Sequence, residues 1–280
     1  MKPQTAAHVA GELRARDRDR YLATLVIPEP QRHAVTALYA FNADIASVPE
    51  RAREPAAGEI RLQWWADALT GKGHGNVRQN PLADALLAAI EDYGLPVPAL
   101  TRLLGARRFD LYHDPMPDTP TFEGYAGETV SALYQLGAMI LNAGRPVEPG
   151  DAAGHLGVAH ALIGHLRAFG HNARQGRIFL PMDVFAICGL RPEDVLSGQP
   201  DERLTVALTR LAEMAARHLG EAARAIGALA PALRPAFASI AVLRAQLARL
   251  DLDHPYDLAS DIPDWRKIAA LTWWRLRQGG

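Results

Sequence analysis

The chain is poor in several features that would mark common classes of protein. Its 280 residues include one cysteine, Cys188, which excludes an internal disulfide and a multi-cysteine zinc or iron–sulfur site. Basic and acidic residues number 30 and 31, and this balance argues against a nucleic-acid-binding protein with a broad basic surface. Residues 1–20 lack the apolar core of a secretory signal, and no apolar run reaches the roughly 18 residues of a membrane span. We therefore expect a cytoplasmic protein.

Helical periodicity dominates what is present, because alanine, leucine, arginine and glutamate fill most segments and β-branched runs are scarce. No linker or shift in composition divides the chain, which predicts one all-α domain over residues 1–280. A polar loop is predicted at Gly170–Pro181. Helices are predicted over Thr5–Ala23, Gln31–Val48, Pro55–Leu69, Asn80–Tyr93, Leu95–Arg108, Phe122–Asn142, Asp151–Phe169, Asp201–Ala230, Pro235–Leu250 and Asp264–Arg277.

Few residue patterns point to chemistry. Histidines five residues apart in Asp151–Phe169 turn about 140° from one to the next, so they do not converge on a metal ion. No apolar helix presents paired carboxylates at the spacing that would hold magnesium; Asp44 stands alone in its helix. Arg167, Arg174 and Arg177 cluster around the predicted loop. These arginines either grip a phosphate or carboxylate ligand or pair with carboxylates across helices, and the residues favour neither reading.

Several segments resemble the squalene/phytoene synthase family, in order along nearly the whole chain. They are Arg20-Tyr21-Leu22-Ala23-Thr24, Ala37-Leu38-Tyr39-Ala40-Phe41, Glu59-Ile60-Arg61-Leu62-Gln63-Trp64-Trp65 and Arg174-Gln175-Gly176-Arg177-Ile178-Phe179-Leu180-Pro181. The resemblance implies the all-α isoprenoid-synthase fold, whose helices surround a cavity where two prenyl diphosphates condense head to head. In that family, two aspartate-rich motifs hold magnesium on the diphosphates.

The sequence departs from the family at both motifs. The positions matching the first motif begin at Ala46 and Ser47 and end at Glu50, the one carboxylate among them; because Pro49 precedes it, we expect Glu50 to point away from the site. The second motif reads N-x-x-R-D-x-x-x-D in the family. Its characteristic positions carry, in this chain, Gly164, Arg167, Ala168 and Asn172. Such residues are poor magnesium ligands, so we expect no metal cofactor and no catalytic residue among them, with Arg167, Arg174 and Arg177 as candidate ligand-binding residues.

Three interpretations follow. The pattern Phe41-Asn42-Ala43-Asp44 resembles a branch of the family that includes an assembly factor of respiratory complex I, which implies a non-catalytic protein with a prenyl lipid, a prenyl diphosphate or a respiratory-complex protein as partner. The alternative is an active prenyl transferase of the squalene/phytoene type that uses Mg²⁺. A third interpretation, a helical interaction protein whose cavity has filled in, also remains open. If a cavity persists, small residues such as Ala43, Gly137 and Gly164 should leave part of it open.

The C-terminal helix suggests a peripheral contact with the inner membrane. On a helical wheel Trp265, Ile268, Thr272 and Leu276 share one face, which we expect to pack inward, while Trp274 lies opposite among basic residues. A tryptophan flanked by cations suits a membrane interface, or alternatively packs on a neighbouring helix beneath arginine stems.

Overall fold

The computed structural model describes residues 3–52 and 54–278, and over these residues it contains helices and connecting segments but no β-strand. The first seven helices lie N-terminal to residue 108. They are α1 (Pro3–Arg16), α2 (Arg18–Thr24), α3 (Glu29–Ala46), α4 (Val48–Arg51), α5 (Pro55–Thr70), α6 (Pro81–Tyr93) and α7 (Val97–Arg107). The all-α prediction is confirmed.

The remaining helices include the longest of the described chain, α14, which packs along α10. They are α8 (Thr119–Ala126), α9 (Ala132–Leu141), α10 (Gly150–Arg167), α11 (Phe169–Arg174), α12 (Met182–Ile187), α13 (Pro192–Val195), α14 (Glu202–Ala228), α15 (Ser239–Leu247) and α16 (Asp264–Gln278). Buried apolar side chains from Val9 to Trp274 form one contiguous core cluster. None of the described helices combines the length and the hydropathy needed to cross a bilayer.

Two predicted segments differ in the structure because of local side-chain chemistry. The predicted helix Thr5–Ala23 is divided at Asp17, whose carboxylate accepts a hydrogen bond from the Arg20 backbone N–H and so caps a new helix, α2. The predicted loop Gly170–Pro181 begins as helix α11. Gly170 allows this helix to lie against the segment between α15 and α16, since a Cβ at that position would come within 2.2 Å of the Tyr256 carbonyl oxygen.

The segment predicted as one helix over Phe122–Asn142 contains a wide turn. Residues 127–131 form a single π-helical turn between α8 and α9, and helix α10 crosses this turn at very short range. A Cβ on Gly157 of α10 would lie 2.0 Å from the Ser131 hydroxyl oxygen and 2.6 Å from its backbone nitrogen. The absence of a side chain at residue 157 therefore fixes how closely α10 approaches the α8–α9 pair.

The prediction of which face of the C-terminal helix packs inward was wrong, and Trp274 packs into the core rather than facing outward. In α16 the buried residues are Lys267, Leu271 and Trp274, while Trp265 and Leu276 are exposed. The reason is electrostatic: the Lys267 ammonium lies 2.6 Å from Asp19 and 2.9 Å from Asp261. These two ion pairs compensate a buried charge and turn the Lys267 side of the helix inward.

Candidate functional site

The positions predicted to match the two aspartate-rich motifs lie at the ends of neighbouring helices. Ala46 ends α3, Ser47 follows it, and Glu50 lies in α4. The Ser47 hydroxyl donates a hydrogen bond of 2.8 Å to the Asp44 carbonyl oxygen, so it caps the end of α3. Since Pro49 occupies the first turn of α4, where its missing N–H is not required, the chain continues as a helix rather than turning away.

The second set of positions spans the junction of α10 and α11. Gly164 and Arg167 occupy the last turn of α10, Ala168 separates the helices, and Asn172 lies within α11. The two sets face each other, because Glu50 Oε1 lies 3.9 Å from Nε2 of His171. The expectation that Glu50 points away from the site was therefore wrong.

The residues at this junction do not fit the magnesium that the family resemblance implies. Magnesium prefers a near-octahedral set of oxygen ligands, mostly carboxylates and water. The carboxylate that the two sets contribute belongs to Glu50, which is exposed and faces a histidine. Across residues 3–52 and 54–278, no group of three or more His, Cys, Asp or Glu side chains is placed to hold an ion.

The three arginines predicted to bind a ligand do not converge on one point. Arg167 Nη2 lies 3.1 Å from Asp261 and its Nη1 lies 3.8 Å from Asp19. Arg174 donates a hydrogen bond of 2.9 Å to the Tyr256 carbonyl oxygen. Both side chains are thus directed at the segment that precedes α16. Within the described structure, the Nε atom of Arg177 is buried and has no hydrogen-bond partner.

A cavity of about 160 Å³ opens beside the second set of positions. Its walls come from α2, α10 and α15 and the residue before α2, and they are strongly polar: Asp17, Asp19, Arg20, His160, Gly164, Arg167, Ser239, Val242, Leu243 and Gln246. Pockets that enclose drug-sized ligands usually measure about 300–1,000 Å³, so this space is small for a prenyl chain. At Gly137, in contrast, a Cβ would already contact the side chains of Ala236 and Tyr39.

Aromatic and histidine side chains pack between α9 and α10. The Tyr134 hydroxyl is hydrogen-bonded to His160 Nδ1 at 2.7 Å, and the His165 ring stacks on Phe179 at 4.9 Å. Burial, followed by the nearby charge of Arg20, lowers the pKa of His160 to about 3; burial and the charge of Arg107 do the same for His165. Both rings are neutral at neutral pH and supply no positive charge for a diphosphate.

A buried carboxylate near the first set of positions was missed by sequence reasoning. Asp44, from the buried face of α3, accepts hydrogen bonds from Trp65 Nε1 at 2.9 Å and from the guanidinium groups of Arg16, Arg51 and Arg61 at 2.8–3.0 Å. Burial alone would raise the pKa of Asp44, but the Trp65 hydrogen bond and the charges of Arg61 and Arg51 outweigh it, so this pKa lies below its usual value. The sequence signal for this buried carboxylate is a single aspartate among the apolar residues of α3.

Comparison of the sequence with known proteins identifies relatives along most of the chain. The sequence profile described as squalene/phytoene synthase matches residues 13–274. The chain belongs to the squalene/phytoene synthase family. Among curated members, it is 30% identical over 269 residues to "NADH dehydrogenase (ubiquinone) complex I, assembly factor 6" of Rattus norvegicus, a match that covers 91% of this chain and 80% of the relative. It is 23% identical over 273 residues to a phytoene synthase of Arthrospira platensis, covering 92% and 88%.

Solved structures of a dehydrosqualene synthase and a squalene synthase share the fold. A dehydrosqualene synthase crystallised with a ligand superposes with a TM-score of 0.82 at 21% identity, covering 98% of this chain and 96% of that one. Squalene synthase HpnC from Alicyclobacillus acidocaldarius gives a TM-score of 0.73 at 17% identity, covering 88% and 92%. At these identities, the likeness establishes the isoprenoid-synthase type of fold and leaves the activity to be argued from the residues.

Proposed function

We propose that this chain is a non-catalytic member of the squalene/phytoene synthase family that acts in the assembly of a respiratory NADH dehydrogenase complex. Relatives named as assembly factor 6 of complex I support a role in the assembly of this complex. The donor set at the α3–α4 and α10–α11 junction supports the absence of catalysis and is the observation that carries the proposal. Ala46, Ala168 and Asn172 offer no carboxylate, and Glu50 faces His171.

The physical argument concerns the leaving group of prenyl transfer. A departing diphosphate carries several negative charges, and catalysis requires preorganised cations that stabilise them. Here Arg167 is already paired with Asp261 and Asp19, so its positive charge is largely neutralised. Neither His160 nor His165 is protonated at neutral pH. Arg167, His160 and His165 would therefore stabilise a developing diphosphate only weakly.

The alternative function is head-to-head condensation of two prenyl diphosphates with Mg²⁺. One observation favours it, namely the 23% identity to a phytoene synthase of Arthrospira platensis over 92% of this chain. A prenyl lipid or prenyl diphosphate bound without turnover is the intermediate case, and the small cavity beside Gly164 would have to widen to admit it.

Genetic complementation combined with an enzyme assay tests the proposal. Deleting the gene in its source organism should lower the amount and activity of the assembled NADH dehydrogenase complex, and a plasmid copy should restore both. The Glu50→Gln variant should restore them equally well, because it removes the site carboxylate without changing the fold. Purified protein given farnesyl or geranylgeranyl diphosphate with Mg²⁺ should release no diphosphate.

Two results would contradict the proposal. Diphosphate release that Glu50→Gln abolishes would establish the prenyl transferase instead. A deletion strain with a normal NADH dehydrogenase complex would remove the assembly role, whatever the enzyme assay shows.

A further inference from the structure

The outward side of α16 carries large apolar residues that contact no other described part of the chain closely enough to bury them. The outer face of α16 consists of Trp265, Ile268, Thr272, Trp273 and Leu276. Trp265, Trp273 and Leu276 remain 65%, 58% and 70% exposed. A set of this size on one helix is unlike the scattered apolar residues of ordinary surfaces and marks an interaction site.

Arginine side chains flank the outer face of α16. The Arg266 guanidinium lies 5.0 Å from the Trp265 ring centroid, and that of Arg277 lies 4.4 Å from the Trp273 ring centroid. Arg275 belongs to the opposite edge of the same face on a helical wheel. Asp264, the acidic residue of this helix, is ion-paired with Arg18. The exposed charge of α16 is therefore positive.

A groove continues the apolar surface next to Trp273. It encloses about 370 Å³ between α14, α15 and α16. Apolar side chains such as Ile226 and Ile240 form much of its wall, together with Trp273 and Trp274, and the lining also includes Arg244 and Arg277. No carboxylate is present among its described lining residues. The combination suits an acyl chain whose anionic headgroup stays close to the two guanidinium groups.

We propose that the outer face of α16 is a docking surface for a bilayer that contains anionic phospholipid. Tryptophan is favoured at the boundary between headgroups and acyl chains, and an amphipathic helix with apolar residues between basic edges lies in that boundary. Charge complementarity favours anionic lipid over neutral lipid, because arginines flank the face and the acidic residue of the helix is already paired.

A second copy of this chain fits the same surface poorly. A twofold contact through the outer face of α16 would set Arg266, Arg275 and Arg277 against the same three residues of the other copy. With Asp264 held by Arg18, no acidic residue of α16 is free to pair with them. The lipid surface avoids this repulsion. The proposal does not depend on the assembly role, since lipid binding and complex assembly are measured separately.

Vesicle co-sedimentation of the full chain tests the proposal. Wild type should bind vesicles of phosphatidylcholine mixed with phosphatidylglycerol at low salt, should bind pure phosphatidylcholine much more weakly, and should dissociate at high salt because the charges are screened. Arg266→Gln, Arg275→Gln and Arg277→Gln combined should weaken partitioning roughly 100-fold, and the corresponding triple Lys variant should retain binding. Trp265→Ala with Trp273→Ala should weaken it at least about 10-fold.

Matched controls distinguish binding through the outer face of α16 from nonspecific binding by exposed apolar residues elsewhere. Ile60 and Leu258 are apolar residues elsewhere that are more exposed than Trp265 and Trp273, so Ile60→Ala with Leu258→Ala should bind as wild type does. Circular dichroism should show native helix content for every variant used. The proposal is overturned if wild type does not bind anionic vesicles, if binding shows no preference for phosphatidylglycerol, or if the double Trp variant binds as wild type does. It is also overturned if the double Trp variant converts a dimer to a monomer, because the face would then be an interface between copies.

Discussion

Removing the Asp44 carboxylate should reveal how strongly the end of α3 is held in place. This carboxylate is 5% exposed and accepts hydrogen bonds from Trp65 and three arginines that reach it from α1, α4 and α5. Asp44→Ala leaves the buried Trp65 N–H without its acceptor, which costs about 1–2 kcal/mol. It also leaves three guanidinium groups close together without their shared anion.

The arginines limit the size of the effect, because their side chains remain 32–46% exposed and water can replace part of the lost interaction. Breaking a fully buried ion pair costs about 3–5 kcal/mol, so the lower end of that range applies here. We expect the free energy of unfolding to fall by about 3 kcal/mol for Asp44→Ala. Asp44→Asn should cost less, since its amide oxygen still accepts two of the hydrogen bonds.

Denaturant titration read by both tryptophan fluorescence and circular dichroism provides the measurement. The control is Asp84→Asn, because the Asp84–Arg78 pair is exposed and should contribute less than about 1 kcal/mol. Since the pKa of Asp44 is lowered in the folded protein, its stabilisation is present above the ordinary value of 3.8 and is lost as the pH falls through the lower folded pKa. The difference between wild type and Asp44→Ala should therefore shrink in acid. A loss below about 1 kcal/mol near neutral pH would refute the reasoning.

Two further outcomes follow from buried ionisable side chains. The pKa values of His160 and His165 fall from 6.5 to about 3 on folding, so the unfolded chain binds more protons than the folded protein. The free energy of unfolding should therefore decline as the pH drops from 6.5 towards 3. His165→Phe should reduce this decline, measured as denaturation midpoints between about pH 7 and 4. Lys267→Met should lower the free energy of unfolding by about 2–3 kcal/mol and expose α16 to protease, because Asp19 and Asp261 lose their buried cation. The same change at Lys72, which is exposed, should have little effect on either measurement.

The helical fold was predictable because local signals decide most helix boundaries. Asn80 accepts hydrogen bonds from the backbone N–H groups of Leu82 and Ala83, and Gly94 has a φ of 58° at the opposite end of the same helix. These are the residue types that start and stop helices, so the pattern alone predicts helix α6. The division at Asp17 was missed because the same residue type also occurs on exposed helix faces.

The site could be predicted only in part, because its charges pair across long sequence distances. Asp19 and Lys267 are separated by 248 residues, and their contact determines which side of α16 is buried. A helical wheel assigns the apolar side inward and has no means of recognising a lysine whose buried charge is compensated. The arginines that surround Asp44 were hidden for the same reason, since Arg16 lies 28 residues before it and Arg61 lies 17 residues after it.

Arg167 illustrates why a residue that matches a family motif does not by itself carry the family's chemistry. It shares the carboxylates of Asp19 and Asp261 with Lys267, so two cations face two anions and the group has no net charge. A phosphate that approached this group would have to displace a carboxylate, and it would gain little from a neutral environment. Gln246 strengthens the arrangement by donating a hydrogen bond of 2.5 Å to Asp19. Arg167 thus links α10 to the segment before α16, a structural role that is compatible with the proposed non-catalytic function.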